Sequence, residues 1–335
     1  MVRKITWAIR LFSPFRWLQS LIVDPKIRKM ELPNDAPVFV IGHWRSGTTH
    51  LHYLLSQDPQ FTCVGSFQAF FFNMAFTTRF IKPLISRLMP DKRPQDNVKI
   101  GVDLPQEDEH AFVNVTHMSG MHIFFFPKNQ RYFDKYNCFD GISTEELSKW
   151  KKMYHHTLKS ISLFNKSKKR LLLKNPHNTG RIEVLAEMYP KAKFIYIHRN
   201  PYDVFNSTRT LYEKAVSSQF LQEPTQKEVD ELILHCYEKM VASYRSQKPS
   251  LAKGRLIEVS YDELSKQPME VMEKVYDQLQ LGNFEEAKPR LETYLSSVKG
   301  YKKNKSREIE PEILKAINKR WAEAFETFGY EVKDQ

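Results

Sequence analysis

Cysteine is scarce in this sequence. Cys63, Cys138 and Cys236 are odd in number and far apart. They fit neither a disulfide framework nor a zinc-ligand spacing, and a reducing cytoplasm is the expected setting. No apolar run approaches the roughly 18 residues of a membrane span. Arg10 and Arg16 interrupt any secretory apolar region, and no small-x-small cleavage site follows. Histidines with metal-ligand spacing are missing too. His50 and His52 are two apart on an expected helix, and His155 and His156 are adjacent, so no metal is expected. No Lys/Arg-rich block stands out, so the net charge of +12 does not come from a nucleic-acid arm, and no nucleic acid is expected as partner. Internal repeats and low-complexity segments are absent.

What remains is ample for a sizeable core. A length of 335 residues with 41% hydrophobic content suits one large α/β domain over 1–335. Scattered positive charge suits a polyanionic ligand or an anionic membrane. Residues 1–30 are basic and aromatic, with Trp7, Leu11, Phe15, Trp17 and Leu18 among Arg and Lys. Two readings stand side by side: an amphipathic segment at a membrane surface, or a helix that packs its aromatics on the main domain.

The chain is organised around residues 37–51. The run Val38 to Ile41 reads as a buried strand that stops at Gly42, and Leu51, Leu54 and Leu55 recur at helical spacing. Between them lies Gly-His-Trp-Arg-Ser-Gly-Thr-Thr. Strand, glycine turn and helix start form an anion cradle. Gly42 and Gly47 have the spacing of a nucleotide-binding P-loop, but Thr48 stands where a triphosphatase needs Lys, and the cation is Arg45. Such a loop suits phosphate-like oxygens better than ATP with magnesium.

An α/β rhythm returns near residue 170. Leu171 to Leu173, Phe194 to Ile197 and Leu256 to Val259 read as strands, alternating with helices around 182–189, 204–215, 225–247 and 271–279. Leu314, Ile317, Trp321, Phe325 and Phe328 read as one last amphipathic helix. This alternation predicts a parallel sheet flanked by helices. Residues 60–165 read as a helical insertion after the first strand–helix unit. Arg199 leaves a strand end, where open α/β sheets bind ligands, and Ser207 follows eight residues later. The two can converge on one phosphate, the guanidinium giving bidentate contacts.

Together these motifs resemble sulfotransferases that use 3′-phosphoadenosine 5′-phosphosulfate (PAPS). Arg-Ser-Gly-Thr-Thr is similar to the phosphosulfate loop of the branch with Arg in the loop, shared by tyrosylprotein sulfotransferases and bacterial relatives. Arg199 and Ser207 match the family's 3′-phosphate motif, down to the Arg-Asn-Pro turn. The likeness covers roughly 36–58 and 168–265, and leaves out 60–165.

The resemblance implies a P-loop-like α/β fold and PAPS as co-substrate, held by Arg45, Ser46, Gly47, Thr48, Thr49, Arg199 and Ser207. It also implies a C-terminal basic segment closing the donor site, here Lys302 or Lys303. Lys174 maps onto the family Lys at the leaving phosphate. The general base stays open among His177, Glu107, Glu109 and His110, with His177 favoured because it follows a strand end beside Lys174. The aromatic patches near Phe70 to Phe72 and Phe124 to Phe126 point to a hydrophobic acceptor: an alcohol, lipid or sterol-like compound, met at the inner face of a membrane. Two other functions remain open: a P-loop kinase using ATP, and a non-catalytic, membrane-peripheral binding protein.

Overall fold

A computed structural model describes residues 2–93, 96, 98–299 and 307–333, with side chains from residue 12 onward. Among them β1 (Val38–Ile41), β2 (Phe61–Thr62), β3 (Arg170–Lys174), β4 (Lys193–His198) and β5 (Leu256–Ser260) form one sheet in the order β2-β3-β1-β4-β5. Every pairing is parallel. Alternation along the strands builds two cores. Val38 and Val40 join Leu172, Ile195, Ile197 and Ile257 on one face. Phe39 and Ile41 join Leu171, Leu173, Phe194 and Tyr196 on the other. Both faces are covered, which is why the strands read as continuous apolar runs.

Because β1 is central, its C-terminal end is walled by β3 and β4. The helices that cover the sheet start at readable caps. Asn200 accepts the Tyr202 N–H ahead of the Pro201–Leu211 helix. Thr225 and Glu228 form a reciprocal capping box ahead of the Gln226–Gln247 helix.

Two expectations need correction. The sequence pattern does not predict β2, whose two residues pair with Arg170 and Leu171 from inside the 60–165 span; two residues are too few to show a period. The last helix is in fact two, Pro311–Arg320 and Ala322–Phe328. The break falls at Trp321, whose buried indole N–H donates to the Leu234 carbonyl at 3.0 Å, so the chain turns to seat that ring.

Residues 60–165 supply the wall opposite the sheet's C-terminal edge. The Thr144–Phe164 helix, opened by a Ser143–Glu146 capping box, backs the short helices Ser66–Phe70 and Asp108–Phe112, with Gln68 donating to the Ser160 carbonyl and Tyr154 to Asp108. The N-terminal helix Val2–Ile22 lies against this layer. Buried Gln19 donates to the Phe72 carbonyl and accepts from the Phe76 N–H. Phe12 and Phe15 meet Phe71 and Phe80, whereas Trp17 and Leu18 stay exposed. One stripe of the helix is therefore packed and another faces solvent. No helix among the described residues is long and apolar enough to cross a membrane.

Candidate active site

The loop after β1 has a backbone that few sequences could adopt. Gly42 and Gly47 hold φ of +136° and +103°. A Cβ on Gly42 would lie 2.3 Å from the Ile197 carbonyl oxygen, and one on Gly47 2.3 Å from the Tyr261 ring. Glycine is required at both positions for space as well as for φ. Arg45 is itself left-handed, with φ +71°. Ser46 serves the loop: its hydroxyl donates to the His43 carbonyl at 2.6 Å, and its N–H reaches the same oxygen at 3.2 Å. Gly47 caps the helix Thr48–Leu55, whose first turn leaves N–H groups without intrahelical partners.

The two motifs read separately in the sequence meet here. Arg45 Nε donates to Ser207 Oγ at 2.9 Å, and its Nη1 to Asp96 Oδ2 at 2.6 Å. Arg199 Nη1 donates to the Arg45 carbonyl at 3.4 Å and Nη2 to Asp203 at 3.0 Å, while its guanidinium lies 4.8 Å from the Tyr261 ring centre. Arg199 Nε is buried with no partner among the described residues. A buried guanidinium N–H of this kind calls for an acceptor. Two arginines, a hydroxyl and a glycine-only cradle fit an anionic donor.

Lys174 ends β3 beside this cradle, its side chain 3% exposed. Its Nζ donates to Glu107 Oε1 at 2.5 Å and reaches Thr49 Oγ1 at 3.5 Å. Burial pulls the Lys174 pKa below its ordinary value, against the opposing pull of Glu107. Burial also opposes ionisation of Glu107, but the Lys174 and His110 charges override it and hold the carboxyl below its usual range. His110 is half-buried, with its ring 5.2 Å from that of Phe70. Burial lowers its pKa, and the neighbouring Glu107 works against that shift.

The remaining base candidates face inward. Glu109 is fully buried and takes both outer nitrogens of Arg181, at 2.8 and 3.0 Å. It also accepts from Ser119 Oγ and Asn175 Nδ2, each at 2.6 Å. Burial opposes its charge, yet Arg181 holds the pKa well below the carboxylate range. Asp108 accepts from Tyr154 and Asn175, and burial pushes it up to about 7. His177 is fully buried, with Nδ1 2.6 Å from Asn137 Oδ1 and its ring edge-on to Trp44. Burial lowers it to about 4. His177 and Glu109 thus sit in the packing beneath the site, whereas Glu107 and His110 stand at its mouth.

Lys302 and Lys303 lie outside the described residues. The chain resumes at Arg307, whose carbonyl accepts from Asn206, the neighbour of Ser207, at 2.8 Å. Sequence reasoning missed Asp96, Tyr261 and Arg181. Arg181 carried the clearest signal, a second cation seven residues after Lys174, but nothing local shows that it is wholly buried. An apolar groove of about 200 Å³, lined by Phe67, Phe70, Phe71, Ile85, Leu88 and Met89, lies beside Phe70 and hence beside His110.

Residues 37–286 match the profile described as "Sulfotransferase family". The omega-hydroxy-beta-dihydromenaquinone-9 sulfotransferases of Mycobacterium bovis and Mycobacterium tuberculosis are each 30% identical over 297 residues, covering 89% of this chain and 76% of theirs. Two crystal structures share the fold. A sulfotransferase from Mycobacterium avium has a TM-score of 0.72 at 20% identity, over 93% of this chain and 81% of its own. One from Mycobacterium tuberculosis has a TM-score of 0.60 at 17% identity, over 85% and 76%.

Proposed function

We propose that this chain, which belongs to the sulfotransferase family, moves a sulfuryl group from PAPS to the hydroxyl of a hydrophobic alcohol. The observation that carries this reading is the Lys174–Glu107 pair at 2.5 Å, set between the Arg45–Ser207–Arg199 cradle and the apolar groove. PAPS supplies the sulfuryl group and leaves as adenosine 3′,5′-bisphosphate. Arg45, Ser207 and Arg199 bind its phosphate oxygens, and the partnerless Nε of Arg199 gains an acceptor. Thr48 and Thr49 open the helix whose N–H groups face the same oxygens.

Glu107 is the general base and takes the acceptor's hydroxyl proton. In the free protein the Lys174 charge keeps its carboxyl ionised. When Lys174 turns toward the leaving phosphate, that charge withdraws and the carboxylate becomes more basic. Lys174 then balances negative charge where it develops. His110, next to Glu107 and against Phe70, borders the acceptor path.

The acceptor class rests on the groove, whose lining is apolar. The name of the mycobacterial relatives points the same way, since it specifies an omega-hydroxy menaquinone. The three free cysteines suit a cytoplasmic enzyme that meets a lipid alcohol at the inner membrane face. The test is transfer of radiolabelled sulfate from PAPS, without added metal, to a long-chain primary alcohol and to a water-soluble sugar. Labelling of the alcohol is expected. Preference for the sugar would overturn the acceptor class, and transfer only from ATP with magnesium would overturn the donor.

A further inference from the structure

The exposed apolar side chains are not scattered. Among the described residues most of the large ones fall on two short stretches, the end of the N-terminal helix and residues 80–88. Gln19 pins the N-terminal helix against Phe72 and Phe76, and Thr77 donates to the Phe15 carbonyl at 2.9 Å. That docking leaves Trp17, Leu21 and Ile22 facing out, at 64%, 53% and 50% exposure. Phe80, Leu84 and Leu88 recur every fourth residue, on one line of a second helical run, at 68%, 56% and 72%. The two helical runs meet where half-buried Phe15 packs on Phe80, with ring centres 5.9 Å apart. Exposed apolar residues clustered on two runs that meet mark an interaction site, whereas single exposed residues do not.

Its charge selects the partner. The chain has 39 acidic residues, yet none lies in 1–23 or in 59–90. Arg16, Arg79 and Arg87 stand exposed in these stretches, and Arg3, Lys4 and Arg10 precede them in sequence. Apolar ridges with an aromatic residue and a mainly cationic flank, in which Lys82 is already paired to Asp103, match an anionic lipid surface, where the rings sit at the headgroup boundary and the cations meet phosphates. Leu88 belongs to both the ridge and the apolar groove, and Phe70 in that groove reaches His110.

We propose that the face formed by Trp17, Leu21, Ile22, Phe80 and Leu84 seats the enzyme on an anionic bilayer, so that a lipid alcohol enters the groove without crossing water. This rests on the lipid-acceptor reading. Its test is cosedimentation of the full-length protein with vesicles of phosphatidylglycerol or of phosphatidylcholine, which needs no turnover. Binding to phosphatidylglycerol, weaker binding to phosphatidylcholine, and loss of binding in the Trp17→Glu, Leu84→Glu double variant are expected. Thermal stabilisation by adenosine 3′,5′-bisphosphate and sulfation of a short soluble alcohol should be unchanged in that variant. No binding to phosphatidylglycerol, or equal binding by the double variant, would overturn the proposal. A wild-type dimer that the double variant converts to monomer, without vesicle affinity, would also overturn it and assign the face to a second copy. Failure to bind vesicles with normal sulfation of a long-chain alcohol in detergent would remove the docking and leave the activity standing. Vesicle binding without any bisphosphate effect would do the reverse.

Discussion

Along the C-terminal edge of the sheet, Arg45, Lys174 and Arg199 leave strands or glycine turns whose backbone has little freedom. Opposite them, Glu107, Glu109 and His110 come from a single short helix, Asp108–Phe112, and its cap. That helix is held by side chains: Arg181 and Asn175 grip it from below, and Tyr154 grips it from the Thr144–Phe164 helix. One half of the site is thus positioned by backbone and the other by a buried polar network. The difference separates neighbours. Glu109 turns inward to Arg181, whereas Glu107, two residues earlier, reaches the mouth and pairs with a cation from the other half.

Breaking the network should have the largest effect. Glu109→Ala leaves Arg181 charged and buried, and should lower the unfolding free energy by roughly 3–5 kcal/mol in chemical denaturation. Arg45→Ala and Arg199→Ala lie on the backbone-held half. Each should weaken adenosine 3′,5′-bisphosphate binding in calorimetry by roughly 1.5–3 kcal/mol, the range for a charged hydrogen bond, while the protein stays folded. A loss of stability of the size expected for Glu109→Ala in these variants, or an unchanged unfolding free energy in Glu109→Ala itself, would erase the contrast.

A subtler probe is Asp108, raised by burial from 3.8 to about 7. Between those values the folded protein holds a proton that the unfolded chain has released. Rising pH through that window therefore removes stability. Asp108→Asn has no such proton. Its stability relative to the unaltered protein should climb from about pH 4 to about pH 7, by at most about 1.4 kcal/mol per pH unit, as read from denaturation at a series of pH values.

The legible parts of the sequence were the local ones. The loop around Arg45 and the Arg199–Ser207 spacing each lie within one strand–turn–helix unit, so neighbouring residues determine where they point. The four longer strands were readable for the same reason. The identity of the carboxylate at the mouth was not readable, because Glu107 and Glu109 share one helical turn and only Arg181, far along the chain, separates them. His177 lies deeper than its place in the sequence suggests. It follows Lys174 closely in sequence, but Asn175 caps a tight turn over Pro176–Gly180 that carries the ring into the packing against Trp44. The break at Trp321 had no local mark either, since apolar spacing continues across it.

The Lys174–Glu107 pair is where the two halves touch, and Glu107→Gln tests it most directly. Turnover and bisphosphate affinity should be measured on the same preparation. The account predicts a fall in kcat of roughly 10²–10⁴-fold, the usual range for losing a general base, with bisphosphate affinity and melting temperature essentially unchanged. Turnover at the unaltered rate would contradict it and pass the proton to His110.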